Sequence, residues 1–477
     1  MRDYQNFIGG QFVPSSGTER VEVFNPSTGA LICTVPESTA EDVERAIEAA
    51  AKEQPAWASR PAIERAKPLR VLAQKIREHK EELARIITEE QGKVLPLART
   101  EVDFTADYID YMAEWARRIE GEVIESDRPG EMILLLRQPI GVVAGILPWN
   151  FPFFLIARKM APALVTGNTI VIKPSEETPH NAVKFCELVM ESGLPAGVFN
   201  VVHGRGPTVG HALASSPKIG MVSFTGSVET GAAVMAAAAP NITKVNLELG
   251  GKAPAIVMAD ADIDLAVRAI KASRIINSGQ VCNCAERIYV QRQVADEFID
   301  KFVAAMRAAR YGDPLADPTV DYGPLINREG FEKVDRLVRS AVAAGAQVLT
   351  GGKRGQGEGG YFYEPTVLVN CRQDMEIIHK ETFGPVAPII VFDEFEEAIA
   401  LANDSDYGLT SSIYTRDLNT ALRAARMLQF GETYINRENF EAMQGFHAGW
   451  RKSGIGGADG KHGLYEYTQT HVVYIQT

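Results

Sequence analysis

From about residue 131 onward the chain alternates short, unbroken apolar runs with helix-like stretches, and this alternation restricts the fold more than any other feature. The runs are MILLL (132–136), VVAGIL (142–147), TIVIK (169–173), VFNVV (198–202), MVSF (221–224), KVNLEL (244–249) and AIVM (255–258). Helical patterns fall between most of them, near 156–166, 178–192, 207–215 and 227–239. A strand that is apolar at consecutive positions must be covered on both faces, and strands followed by helices build a parallel sheet. A second series follows, with helices near 262–276, 294–310 and 328–344 and strands near 286–291 and 388–392. Further elements fall near 394–403, 411–414 and 418–428. The expected class is α/β, in two units.

The first ~120 residues read as helical after a short β-like start. Ser38 and Glu41 have the spacing of a capping box ahead of Val43, Ala46, Ile47 and Ala50. Amphipathic stretches cover roughly 61–91 and 98–118, and the Gly-rich run 351–360 reads as an exposed loop. At ~100–200 residues per domain, 477 residues imply roughly three structural units. With 45% hydrophobic and 23% charged residues, disordered, collagenous and coiled-coil classes are excluded. A formal net charge of -12 argues against a phosphate-backbone binder, so no nucleic-acid partner is expected. Five cysteines are too few, and odd in number, for a disulfide framework, which favours a reducing compartment. The start MRDYQNFIGGQFV shows no basic-then-apolar signal pattern. Residues 138–157 carry no charge, but Pro139, Pro148 and Pro152 interrupt them, so a buried strand and turn is expected rather than a membrane span.

Six motifs could carry chemistry. In NSGQVCNCAER (277–287) a thiol sits among Gly279, Gln280 and Asn283, which suits a nucleophile on a loop, although a lone cysteine is more often a small buried hydrophobe. Cys282 and Cys284 lack a second Cys/His pair with metal-ligand spacing, so no metal is expected. In LELGGKAP (247–254) Glu248 ends a strand before two glycines, as either a general base or a solvated carboxylate. PWNFP (148–152) holds Asn150 between prolines, as an oxyanion donor or as a turn residue bonding its own backbone. In TIVIKPSEETP (169–179), Lys173 and Glu176 follow a strand, where ribose hydroxyls could be held, or Glu176 is only a helix-start acid. GRGPTVG (204–210) misses the dinucleotide spacing by one residue, and FTGS (224–227) joins a strand to a helix N-terminus.

Together GQVC, LELGGK, PWNFP, KPSE, FTGS and ETFGP (381–385) occur in the order and spacing of the NAD(P)-dependent aldehyde dehydrogenase superfamily. The resemblance runs from FNPSTG (24–29) to the last strand. The strings 104–118, 147–164, 276–291 and 431–464 resemble the branch that acts on short 2-hydroxyaldehydes. It implies two Rossmann-like parallel-sheet domains plus a small β oligomerisation flap. The implied boundaries are 1–120 and 141–250 for NAD binding, 251–445 for catalysis, and 121–140 with 446–477 for the flap and C-terminal segment. Carried over residue by residue, Cys282 would be the nucleophile, Glu248 the general base, and Asn150 with the Cys282 N–H the oxyanion donors. Pro148, Trp149, Lys173, Pro174, Ser175, Glu176, Thr225, Gly226, Ser227, Leu249, Glu381 and Phe383 would bind the cofactor. Arg158, Asn283, Glu441 and His447 would contact substrate. The implied activity is NAD-dependent oxidation of a short 2-hydroxyaldehyde through a thioester, with a semialdehyde as the alternative, in a cytoplasmic homotetramer. A non-catalytic protein on the same fold would not need thiol, Glu and Asn together. A redox dithiol would call for two residues between its cysteines, where only Asn283 stands between Cys282 and Cys284.

Overall fold

Both series of apolar runs become sheets in the computed structural model, which describes residues 2–357 and 359–477. The first sheet has eight strands. Its parallel centre is ordered Lys244–Glu248, Met221–Thr225, Val142–Ile146, Thr169–Lys173, Phe199–Val201. Antiparallel strands close both edges, Gly454–Ile455 on one side and Asn6–Ile8 with Gln11–Val13 on the other. Val142–Ile146 and Thr169–Lys173 are buried at every position, because helices cover both faces. The helices Ala62–Glu78, Leu95–Glu114 and Pro152–Val165 pack one face into a core holding Leu69, Ile109 and Phe153.

The second sheet has seven strands, centred on Val386–Phe392, Ala285–Gln291, Ala253–Val257 and Thr410–Tyr414, all parallel. Glu432–Ile435 extends it on one side, and Thr366–Val369 with the antiparallel Gln347–Thr350 on the other.

MILLL departs from the parallel series. It lies in Glu131–Pro139, which pairs antiparallel with Glu122–Glu125 and with Thr468–Gln476 in a separate three-stranded sheet. Val123, Met132, Leu136, Val472 and Tyr474 are exposed on it. Between this sheet's strands in sequence, the helix Gly460–Glu466 packs Leu464 into the first core, and Tyr467 follows it.

Two local expectations shift. The capping box belongs to Thr39 and Asp42, one residue later than Ser38 and Glu41, because the Ser38 hydroxyl is buried against Asn6 at 2.8 Å. Of residues 138–157, the strand and turn are present, but Pro152 already begins a helix that runs to Val165, four residues ahead of the apolar pattern. Proline at a first helical position loses no hydrogen bond, so it starts this helix rather than breaking it. Of the Gly-rich loop 351–360, residue 358 lies outside the described residues, as does Met1 of the N-terminal stretch. Among the described residues, no helix is long and apolar enough to cross a membrane.

Candidate active site

Val142–Ile146 is followed in sequence by a neighbour on one side, Thr169–Lys173, and flanked on the other by Met221–Thr225. Where strand order reverses in this way, the loops leaving the strand ends part and open a crevice. PWNFP and FTGS leave from these two ends. Opposite them, the second sheet presents the starts of its strands: the Cys282 loop before Ala285–Gln291, ETFGP before Val386–Phe392, and the first residue of Glu432–Ile435. A cavity of about 450 Å³ lies between. Its wall includes Cys282, Glu248, Asn150, Pro148, Trp149, Thr225, Gly226, Ser227, Leu249, Glu381, Phe383, Arg158, Asn283, Glu441 and His447. Lys173, Pro174, Ser175 and Glu176 lie outside this wall, one strand over.

The Cys282 loop is built under strain. Asn277, Ser278 and Gly279 are consecutively left-handed (φ 48°, 62° and 77°), which for non-glycine residues costs about 1–3 kcal/mol each and needs external anchors. Asn277 Nδ2 donates to the Asn150 carbonyl (3.2 Å) and Ser278 Oγ to the Gly323 carbonyl (2.9 Å). Gln280 Oε1 accepts from the Ile326 N–H (2.9 Å). Burial pushes the Cys282 thiol up, and the facing His447 opposes that push. Cys284 turns inward, its thiol donating to the Val281 carbonyl (2.9 Å) and pushed up to about 12 by burial.

Glu248 is buried and neither carboxylate oxygen has a hydrogen-bond partner among the described residues. Burial raises it to about 7, against the pull of His447, Arg158 and Lys159. A half-ionised, partnerless carboxylate at neutral pH is suited to taking a proton from water. The glycines after it permit the close approach. A Cβ on Gly251 would stand 2.3 Å from the Cys282 carbonyl oxygen, and one on Gly250 would stand 2.6 Å from Glu381 Oε2.

Asn150 is held at both ends of its amide. Oδ1 accepts from the Phe151 N–H (3.1 Å) and Nδ2 donates to the Gln280 carbonyl (3.1 Å), which uses one of its two N–H groups. The turn rests on a buried ion pair that no motif contains. Lys93 pairs with Glu101 and donates to the Asn150 carbonyl (2.8 Å), while Glu101 accepts from Phe153 and Phe154 N–H (2.9 and 3.1 Å) at the helix start. A signal for Glu101 was available: it is a charge on the same helical face as Ala98, Val102 and Thr105.

The donor set fits a nicotinamide dinucleotide. At the end of Thr169–Lys173, Lys173 Nζ meets Glu176 Oε2 at 2.8 Å. Burial would raise Glu176, but Lys173 and the Gly206 N–H outweigh it and hold it anionic, ready to accept from hydroxyls. Gly226 opens the helix Val228–Ala238, whose free N–H groups suit a pyrophosphate; the Ser227 hydroxyl caps it by accepting from Thr230 N–H (3.1 Å). Glu381 accepts from Gly251 N–H (2.8 Å) and is raised to about 7 by burial. The Trp149 and Phe383 rings meet edge-on at 5.5 Å, and Phe383 is left-handed (φ 56°). Glu286, not anticipated, holds the Phe383 loop by accepting from Thr382 and Phe383 N–H (2.8 Å each) while pairing with Lys252 (2.6 Å).

The polar wall is a connected network. Arg158 forms a two-pronged pair with Asp459, Nε to Oδ1 at 3.0 Å, and lies 3.7 Å from Glu441, whose other oxygen accepts from Asn283. Burial would lower Arg158, but the two carboxylates more than offset it and keep it charged. Its Nε–Nη2 edge is therefore taken by Asp459, so a two-pronged grip on a carboxylate tail by that edge is already in use. Asp459 was not foreseen, and neither was Glu432, which takes His447 Nδ1 at 2.7 Å.

Comparisons with known proteins identify the family. The model of the aldehyde dehydrogenase family matches residues 12–473. The chain belongs to the aldehyde dehydrogenase family. It is 62% identical to the lactaldehyde dehydrogenase of Escherichia coli (strain K12), covering 99% of this chain and 98% of that protein. The crystal structure of lactaldehyde dehydrogenase from Escherichia coli superposes with a TM-score of 0.98, over 100% of this chain and 99% of the other. A 3,6-anhydro-alpha-L-galactose dehydrogenase of Vibrio sp. (strain EJY3) is 43% identical, over 100% and 99% of the two chains. As a family member the chain is an aldehyde-oxidising oxidoreductase, its fold is the aldehyde dehydrogenase fold, and a cysteine thioester is the family's typical intermediate.

Proposed function

We propose that this aldehyde dehydrogenase oxidises a short 2-hydroxyaldehyde, lactaldehyde or glycolaldehyde, to its acid with NAD. The observation that carries this is the meeting of Cys282, Asn150 and Glu248 with a wall of paired polar groups, Arg158, Asn283, Glu441 and His447, in one cavity. The Cys282 sulfur attacks the aldehyde carbon, and the C=O oxygen becomes an oxyanion met by the second Asn150 N–H and the Cys282 backbone N–H. When bound, the nicotinamide supplies the hydride acceptor. As the aldehyde C–H bond breaks and its electron pair leaves with the hydrogen, the C=O re-forms and the carbon stays bonded to the Cys282 sulfur as a thioester. Glu248 takes a proton from water, hydroxide adds to the thioester carbon, and the carboxylic acid leaves as Cys282 is regenerated.

The substrate assignment rests on hydroxyl recognition. A hydroxyl beside the reacting carbonyl calls for donors and acceptors, which Arg158, Glu441 and His447 supply, and a site built to bond a hydroxyl rejects the analogue lacking it by ~10⁴ in favourable cases. Similarity to lactaldehyde dehydrogenase over the whole chain supports the same reading. The two-pronged pairing of Arg158 with Asp459 disfavours succinate semialdehyde.

NAD over NADP follows from Glu176, whose anionic carboxylate accepts from a 2′-hydroxyl and repels a 2′-phosphate. Residues 1–120 and 141–250 serve as the NAD-binding domain and 251–445 as the catalytic domain. Residues 121–140 and 446–477 form the flap and C-terminal segment, and the exposed apolar side chains of the three-stranded sheet join subunits in a cytoplasmic homotetramer.

A steady-state panel of lactaldehyde, glycolaldehyde, succinate semialdehyde and propanal, each with NAD and NADP, tests the assignment. The 2-hydroxyaldehydes with NAD are expected to give the highest kcat/KM. Equal values for propanal and lactaldehyde overturn it.

A further inference from the structure

His447 stands between the nucleophile and the base. Its Nε2 lies 3.6 Å from Glu248 Oε2, and the residue shares the cavity wall with Cys282. Its Nδ1 lies 2.7 Å from Glu432 Oε1, and Glu432 is itself held by the Tyr434 hydroxyl, which donates to the other carboxylate oxygen. The imidazole is only 2% exposed, and its backbone is clamped by a double bridge to Ala458 (2.9 and 2.8 Å). Thiol and imidazole thus share one cavity, and the Glu432 carboxylate, from a third chain segment, holds Nδ1, the ring nitrogen other than the one near Glu248. None of the short motifs contains Glu432, and the mechanism above assigns it no role.

We propose that Glu432 is a positioning residue that, through His447, sets the ionisation of Cys282. A carboxylate on Nδ1 fixes the tautomer that carries its proton there, leaving the Nε2 lone pair to accept the thiol proton. The Cys282 S–H bond then breaks as an N–H bond forms on Nε2, giving thiolate and imidazolium with no change in net charge. Glu432 stabilises the imidazolium through the Nδ1–H.

The surrounding charges agree. Burial and the Arg158 charge oppose protonation of His447, yet the Cys282 contact and Glu432 hold it well above its ordinary range. The groups facing this pair are Glu432 and Tyr434 from the edge strand and Glu248 from the first sheet. Arg158 and Lys159 face it from the helix Pro152–Val165, with Glu441 and Asp459 on the C-terminal loops. Arg158 is neutralised by Asp459 and Glu441, which leaves Glu432 as the carboxylate bonded directly to the ring.

The proposal rests on Cys282 being the nucleophile, but its test needs neither aldehyde nor cofactor. The rate of Cys282 alkylation by iodoacetamide, read by peptide mass spectrometry from about pH 6 to pH 10, reports the thiolate fraction. Glu432→Gln is expected to move the midpoint up by about one unit or more, slowing alkylation about tenfold below both midpoints. At pH above both midpoints the rates converge. Glu432→Asp is expected to restore most of the shift. In a His447→Asn background, Glu432→Gln is expected to add nothing. An unchanged midpoint in Glu432→Gln protein that melts like wild type overturns the proposal, as does a further shift in the His447→Asn background. Should Glu432→Gln fail to fold, His447→Asn alone decides: an unchanged midpoint there also overturns it. Loss of aldehyde oxidation on alkylation keeps the functional reading in place whichever way the midpoint falls.

Discussion

The two sheets meet at the cavity from opposite ends. The first supplies the carboxyl ends of its strands: Asn150 after Val142–Ile146, Lys173 and Glu176 at Thr169–Lys173, Thr225 and Gly226 at Met221–Thr225, and Glu248 at the end of Lys244–Glu248. The second supplies strand beginnings: Cys282, Phe383 and Glu432. At the first sheet's edge, helix N-termini offer ready N–H groups, and a crevice follows from strand order alone. The second sheet's edge adds strained backbone, at Asn277–Gly279 and Phe383, to the buried ion pairs that both edges use, Lys93 with Glu101 at the first and Glu286 with Lys252 at the second. Oxygen-binding chemistry thus falls where the fold provides it, and the nucleophile falls where side chains have to create its setting.

That contrast can be broken or sharpened by substitution. Glu248→Gln, at a first-sheet strand end, is expected to cut steady-state turnover by ~10²–10⁴ while a first burst of NADH persists, because only the water step loses its base. The pH profile carries the same information. With Glu248 near 7, its basic form grows as pH rises, so kcat climbs towards pH 7 and levels above it, and the variant lacks that limb. Next comes Asn150→Ala, expected to lower kcat by ~10²–10³ with little change in KM; a loss confined to KM removes Asn150 from the oxyanion site. At the second sheet's edge, Gly279→Ala would place a Cβ 2.3 Å from the Gly384 carbonyl oxygen at φ 77°. Displacing Cys282 in this way is expected to cost up to ~10² in kcat/KM with NAD affinity nearly unchanged. Equal damage to NAD binding would erase the distinction between the two edges. Smallest is Glu176→Gln, expected to change the NAD/NADP preference by roughly tenfold through one charged hydrogen bond, with kcat retained.

Much of this was legible from residue patterns, and for physical reasons. Strands buried on both faces announce themselves by unbroken apolar runs, and the Gly250–Gly251 pair announces a close approach whatever it approaches. The helix at Pro152 was placed late, because its first turn is as apolar as the strand before it. Partners distant in sequence left no local trace. Asp459 lies 301 positions from Arg158, and Glu432, though inside the resembling string 431–464, sits in a short edge strand whose residue types give no sign of the His447 it holds. The substitution of Thr39 for Ser38 as helix cap came down to a tertiary competitor, Asn6.

The contact between the Gly251 backbone and the Cys282 carbonyl has a practical consequence for redesign. Thiol and carboxylate are locked to a common chassis, so neither can be shifted to make room for a bulkier aldehyde without dragging the other along. Any widening of scope has to be carved from the aromatic side of the chamber, where the Phe104 ring meets Phe154 at a tilt and Phe440 edge-on and none of the reacting groups resides.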